Sequence, residues 1–181
     1  MRILDEPLPG LVLIETPVYG DARGHFFEQY ERRKFADLGI DADFVQDNIS
    51  FSRRGTIRGL HFQNPFAQGK LIGVAQGRIY DVAVDIRRGS SSFGKWASVD
   101  LEAGDGRSFW VPPGFAHGFQ AMSESATVIY KVTDFWHVEA ERTIRWDDPS
   151  LGIDWPLADP ILSPKDAEAP ILENLSSHLP A

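Results

Sequence analysis

The segment Arg78–Arg87 alternates so regularly that it limits what the chain can become. Tyr80, Val82, Val84 and Ile86 fall on one side, and Asp81, Asp85 and Arg87 on the other. Neighbouring side chains in a strand point to opposite faces, so this pattern suits a half-buried strand. Other short segments of the same kind recur and are closed by Gly, Pro or Asp: Leu11–Thr16, Gln46–Ser52, Leu71–Ala75, Trp96–Leu101, Ser108–Val111 and Thr127–Thr133. Gln76-Gly77, Gly89–Gly94 and Ala103–Gly106 read as turns. Only two stretches read as helix. Glu31–Leu38 is stopped by Gly39, and Pro164–Ala167 has Ser163 as N-cap and proline at its first position. Many short strands with few helices predict an all-β chain.

A length of 181 residues suffices for one domain with a real core. The expectation is a single domain over residues 1–181, a cupin or jelly-roll β-sandwich with a few short helices and its ligand between the sheets. Residues 175–181 are expected to fray. Hydrophobic content of 43% and aromatic content of 12% fit a globular protein. The net charge of −8 argues against a nucleic-acid binder but leaves room for a local basic pocket. With no cysteine, disulfides and thiolate metal sites are excluded. No apolar run reaches the length of a signal peptide or a membrane span, so a cytoplasmic location without membrane partners is expected.

Reactive side chains concentrate in residues 55–70. Arg58-Gly59-Leu60-His61-Phe62-Gln63 is followed by Lys70, which supplies an anion clamp, a base and a cation for developing negative charge. Each has a plainer reading: His61 bonded to backbone, Lys70 solvated at a strand start. Pro112-Pro113-Gly114-Phe115-Ala116-His117 matches the P-x-G-x-x-H half of the metal-cupin signature. The other half needs H-x-H and a glutamate, whereas here His61-Phe62-Gln63 stands alone. Two histidines in motif context are too few for a usual metal site, so no metal is expected.

Several motifs, in order along the chain, resemble the dTDP-4-dehydrorhamnose 3,5-epimerase family. They are Asp21-Ala22-Arg23-Gly24-His25-Phe26-Phe27-Glu28, Gln46-Asp47-Asn48, the Arg58–Gln63 run, Gly69-Lys70, Asp81–Arg87, Pro113–Phe119, Tyr130-Lys131 and Leu162-Ser163-Pro164-Lys165-Asp166. The resemblance runs from about Leu11 to Leu172. It implies a cupin-fold isomerase without cofactor, acting on dTDP-4-dehydro-6-deoxy-D-glucose on the way to dTDP-L-rhamnose. Inverting the carbons beside a ketone needs a base on one face, an acid on the other, and donors for the enolate.

By this resemblance His61 is the base, Tyr130 the proton donor on the opposite face, and Lys70 the cation at the enolate oxygen. Asp166 would hold the imidazole in its accepting tautomer. Ser163-x-x-Asp166 also reads as a capping box, so both readings of Asp166 stand at this point. Tyr130 has its own alternative as an ordinary aromatic on a strand face with Val128 and Val132. Arg23 and Arg58 match diphosphate ligands, with His117 and Lys165 as further contacts. Glu28, Gln46, Asn48 and Glu141 match polar contacts to nucleotide and sugar, and Asp47 contributes through its backbone. Trp136 stands where the family often has a tyrosine stacked on thymine, and its indole keeps the flat π face. The resemblance also implies a homodimer in which Arg23 and Glu28 serve the neighbouring site. The alternatives are a single-centre epimerase or ketoisomerase, a non-catalytic sugar-nucleotide-binding cupin, and a metal-dependent cupin oxidoreductase.

Overall fold

The computed structural model describes residues 1–180. Thirteen strands run in chain order. They are β1 (Arg2–Asp5), β2 (Val12–Glu15), β3 (Tyr19–Asp21), β4 (Gly24–Phe26), β5 (Gln46–Arg53), β6 (Ile57–Gln63) and β7 (Lys70–Gln76). After these come β8 (Arg78–Asp85), β9 (Trp96–Glu102), β10 (Arg107–Val111), β11 (Phe115–Ala121), β12 (Ser125–Val132) and β13 (Glu141–Thr143). Every expected strand is present. β1, β3, β4, β6, β11 and β13 were not among them; the runs of small and reactive residues in β6 and β11 show no clean alternation.

The strands form two facing antiparallel sheets. One has the order β1-β2-β10-β7-β12-β5, the other β13-β6-β11-β8-β9, and β3–β4 stands apart as a hairpin. Gly77, at φ +75°, carries the chain out of β7 and into β8, so the expected turn connects two sheets instead of closing a hairpin. The all-β jelly-roll expectation is met.

Between the sheets, one end is packed with Ile72, Val74, Ile79, Phe109, Phe115, Phe119 and Val128. Each of these side chains contributes about 1.5–3 kcal/mol through burial. The other end holds polar groups, described below. Each outer face is also covered in part. Helix α1 (Arg32–Asp37) sets Phe35 against Val12, Ile14, Leu71 and Trp110. Its N-cap Glu31 accepts a hydrogen bond from the Lys34 amide, and Gly39 at φ +85° ends it, as expected.

On the far side, β8 turns Val82 and Val84 outward onto a layer made by the C-terminal segment, with Ile144, Leu151, Leu172, Leu175 and Leu179. This corrects the expectation of fraying for residues 175–180. Leu172–His178 is a 3₁₀ helix with Leu175 buried, and beyond it Leu179 is buried too. The Asn64 side chain donates to the His178 carbonyl, and the Arg88 amide donates to that of Pro180. Ala181 lies outside the described residues. Leucines spaced to reach an apolar sheet face override the terminal position that suggested fraying.

That layer also changes the reading of β8. Its polar face does not meet solvent: Asp81 and Asp85 are both fully buried. Asp85 accepts bonds from Arg87, Ser90 and Ser92 and so holds the following turn together. Asp81 faces the interior between the sheets. No helix among the described residues is long and apolar enough to cross a membrane.

Candidate active site

The polar end of the sandwich encloses a cavity of about 280 Å³. The five-stranded sheet supplies Arg58, His61 and Gln63 from β6, His117 from β11 and Glu141 from β13. The six-stranded sheet supplies Gln46, Asn48 and Ser50 from β5, Lys70 from β7 and Tyr130 from β12. Trp136 stands at the mouth and is largely exposed.

A local irregularity makes β6 work. Arg58 and His61 are three residues apart, so in a regular strand they would point to opposite faces. Against β11, however, His61 pairs with His117 while Arg58 pairs with Phe119. Three residues of β6 therefore span two of β11, a bulge that turns both side chains into the cavity. Gly59 permits it. It sits at φ +141°, and a Cβ there would lie 2.5 Å from the Cα of Gly118. Leu60 and Phe62, between the reactive residues, pack on the outer core.

His61 Nε2 lies 2.6 Å from Asp166 Oδ1. Asp166 sits on the short helix α2 (Pro164–Ala167), whose cap decides between the two earlier readings. Ser163 Oγ accepts the Asp166 amide at 3.1 Å, so the serine half of a capping box is formed, while the carboxylate turns to His61 instead. Burial would raise Asp166, but hydrogen bonds from His61 and Ser163 and the nearby charges hold its carboxyl below the usual range. Burial lowers His61 below its ordinary 6.5, against the upward pull of Asp166. The imidazole is thus neutral near pH 7, and with Asp166 ionised its Nε2–H donates a hydrogen bond to the carboxylate and leaves Nδ1 as the acceptor.

Lys70 crosses the gap between the sheets. Its Nζ donates to the His61 carbonyl at 3.1 Å, and the side chain is buried, not solvated. Burial brings its pKa down to about 8, with Asp81 and Glu141 opposing. Tyr130, facing from β12, is pushed above its ordinary 10 by burial, with Arg58 pulling the other way. The phenol therefore keeps its proton near neutrality. Arg58 is aimed by two bonds, Nε to Ser52 Oγ at 2.9 Å and Nη2 to the Phe51 carbonyl at 3.0 Å.

The other expected residues separate into groups. Gln46, Asn48, His117, Glu141 and Trp136 line the cavity, and Lys165, not itself among the lining residues, pairs with Glu141 at 3.0 Å. The Asp47 side chain points away on the outer face of β5, paired with Lys131. Arg23 and Glu28 are not brought to the cavity. Arg23 pairs with Asp21 on the exposed β3–β4 hairpin, and Glu28 with Lys34.

Sequence reasoning missed Asp81 as a site residue. It is fully buried, and its Oδ1 lies 2.8 Å from His117 Nε2, so a second His–Asp pair stands beside the first. Among the described residues its Oδ2 has no partner, and burial pushes the carboxyl up against the pull of His117 and Lys70. Alternation alone reads an aspartate opposite valines as solvent-facing, and nothing in the sequence signals the second sheet above it. Gln63, Gln68 and Ser50 were also missed as lining residues. Among the described residues no three His, Asp or Glu side chains cluster as metal ligands would.

Fold and cavity together define a cupin-type jelly roll with His61, Lys70 and Tyr130 gathered in one cavity between its sheets. The family model for dTDP-4-dehydrorhamnose 3,5-epimerase matches residues 5–174. A dTDP-4-dehydrorhamnose 3,5-epimerase from Pseudomonas aeruginosa is 53% identical over 163 residues, which cover 89% of this chain and 90% of the relative. Among solved structures, a dTDP-6-deoxy-D-glucose-3,5-epimerase from Legionella pneumophila in complex with dTDP-4-keto-L-rhamnose superposes with a TM-score of 0.95 at 47% identity, covering 99% of this chain and 97% of that one. A 3'-monoepimerase from Streptomyces bikiniensis in complex with dTDP-quinovose superposes at 0.89 with 30% identity, covering 95% and 89%. The chain belongs to the dTDP-4-dehydrorhamnose 3,5-epimerase family and is an isomerase.

Proposed function

We propose that the protein inverts C3 and C5 of dTDP-4-dehydro-6-deoxy-D-glucose, the epimerisation step toward dTDP-L-rhamnose. One observation carries the reading: His61, Tyr130 and Lys70 line one cavity, with the base on one sheet and the phenol and ammonium on the other. His61 takes the proton from C5, and the C–H electron pair moves into an enolate whose oxygen is the former C4 ketone. The Lys70 ammonium stabilises that oxygen; such donors typically contribute roughly 3 kcal/mol. Tyr130 returns a proton to C5 on the opposite face; solvent then reprotonates the phenolate and takes the proton from the His61 imidazolium. The same cycle at C3 completes the reaction. Only protons are exchanged, so no redox cofactor is called for.

Arg58, with His117 and Lys165, supplies positive charge and donors for the diphosphate. Gln46, Asn48 and Glu141 take the polar groups of nucleotide and sugar, and Trp136 offers its indole face to thymine. Relatives and neighbours that are named for dTDP-sugars support this choice of ligand. Incubation with the keto sugar in D₂O should place deuterium at both C3 and C5. No solvent exchange at either carbon overturns the reading. Exchange at one carbon alone favours the second reading, a monoepimerase, which the Streptomyces bikiniensis neighbour shows to be compatible with this scaffold.

A cytoplasmic homodimer fits the same reading. β5 is an edge strand whose outer face exposes Ile49 and Phe51, and the β3–β4 hairpin exposes Tyr19 and Phe26 beside Arg23. Pairing of two copies would cover these groups and let Arg23 and Glu28 reach the neighbouring cavity.

A further inference from the structure

Trp136 forms the mouth of the cavity, yet among the described residues its indole makes no hydrogen bond, and more than half of the residue is exposed. Its backbone is held instead, chiefly by one buried side chain. Gln63, on β6, is 5% exposed. Its Nε2 donates to the Phe135 carbonyl at 3.1 Å and to the Phe66 carbonyl at 2.8 Å, while its Oε1 accepts the His137 amide at 2.7 Å. The Phe135 carbonyl and the His137 N–H belong to the two peptide groups that flank Trp136. Because peptide groups are planar, holding both planes fixes the backbone dihedrals of the residue between them.

Neighbouring contacts tighten the same loop. The Trp136 amide donates to Gln46 Oε1 at 3.3 Å, and Gln68 Nε2 donates to the Asp134 carbonyl at 2.9 Å. The Phe66 ring stacks on His137 with centroids 4.2 Å apart. Gln63 and His61 lie on the same face of β6, two residues apart. One strand thus carries the base and also reaches the loop that would receive the nucleotide ring.

We infer that Gln63 is a positioning residue: its carboxamide sets the orientation of Trp136, and through it the hold of the cavity mouth on the flat base of a nucleoside diphosphate. The inference rests on the reading of Trp136 as the base platform. A carboxamide suits the task because it offers two donors to two carbonyls and one acceptor to an N–H. Glutamate at the same position has no proton to give and would face both carbonyls with negative charge. Alanine would leave two carbonyls and an amide unpaired.

Calorimetric titration with dTDP tests this in wild type, Gln63→Ala, Gln63→Glu, Trp136→Ala and the Gln63→Ala/Trp136→Ala double variant. Gln63→Ala should weaken dTDP binding roughly tenfold. It should raise the substrate KM by a similar factor with kcat at saturation nearly unchanged. In the Trp136→Ala background, Gln63→Ala should have little further effect, because both changes remove the same contact. A purely structural tie would lower Tm without that non-additivity. Wild-type dTDP affinity in Gln63→Ala, or full additivity with Trp136→Ala, overturns the inference alone. Wild-type protein that bound no dTDP would overturn the nucleotide reading with it. Hydrogen exchange on the wild type needs no variant to fold: the His137 amide should be protected, and free exchange there overturns the inference.

Discussion

Two histidines face each other across β6 and β11, each with a buried carboxylate on Nε2, yet they have different work. His61 is lowered by burial and balanced by an ionised Asp166, which leaves a neutral imidazole with one free acceptor. His117 leans on Asp81 deep in the sandwich and lines the cavity. The proposed mechanism needs His61 deprotonated and Lys70 protonated. The kcat/KM profile should therefore rise with pH through a value below 6.5 and fall as Lys70 loses its proton near 8. Lys70→Ala should depress the rate and remove the limb near 8, leaving alkaline loss to Tyr130 at higher pH. A limb near 8 that survives in Lys70→Ala would show that another group sets it. His61→Ala should cost roughly 10²–10⁴-fold in solvent exchange at both carbons. Tyr130→Phe should leave dTDP affinity near wild type while turnover falls, and full turnover in that variant would remove Tyr130 from the acid's role.

At the level of elements, β6 does the aligning. Its bulge turns Arg58 and His61 the same way, and two residues on, Gln63 reaches the Trp136 loop. Gly59 is where this arrangement is most exposed to change. Gly59→Ala would drive a methyl into the Gly118 backbone at a φ that alanine disfavours. A loss of about 1–3 kcal/mol is expected from overpacking alone, read as a lower denaturant midpoint at unchanged slope. Activity should fall further than stability accounts for, since Arg58 and His61 lose their common direction. The short helix α2 is the second aligning element: Ser163 caps it, and this frees the Asp166 carboxylate for His61.

Across the whole molecule, three apolar clusters stack: helix α1 on one sheet, the packing between the sheets, and the C-terminal segment on the other sheet. Leu175 belongs to the last. Leu175→Ala should cost about 2–5 kcal/mol, as for other buried leucines, whereas a frayed tail would make it silent in thermal unfolding. The exposed apolar groups of β5 bear on assembly. Sedimentation should give twice the chain mass for wild type, and Ile49→Asp should shift it toward monomer. An unchanged mass in Ile49→Asp would move the contact to another face.

The sequence by itself determined the all-β class, about half of the strand positions, both α-helices and most of the residues that line the cavity. Those properties are carried by local alternation, by caps and by motifs read in order. Only the tertiary structure decided which of those residues meet. Asp81 reads as solvent-facing until a second sheet closes over it, and Lys70 reads as a surface lysine until its stem spans the gap to β6. Leu175 and Leu179 read as tail until the outer face of β8 is there to receive them. Alternation along a strand tells which side chains share a face, but whether that face meets water or another layer is a property of packing between segments far apart in the chain.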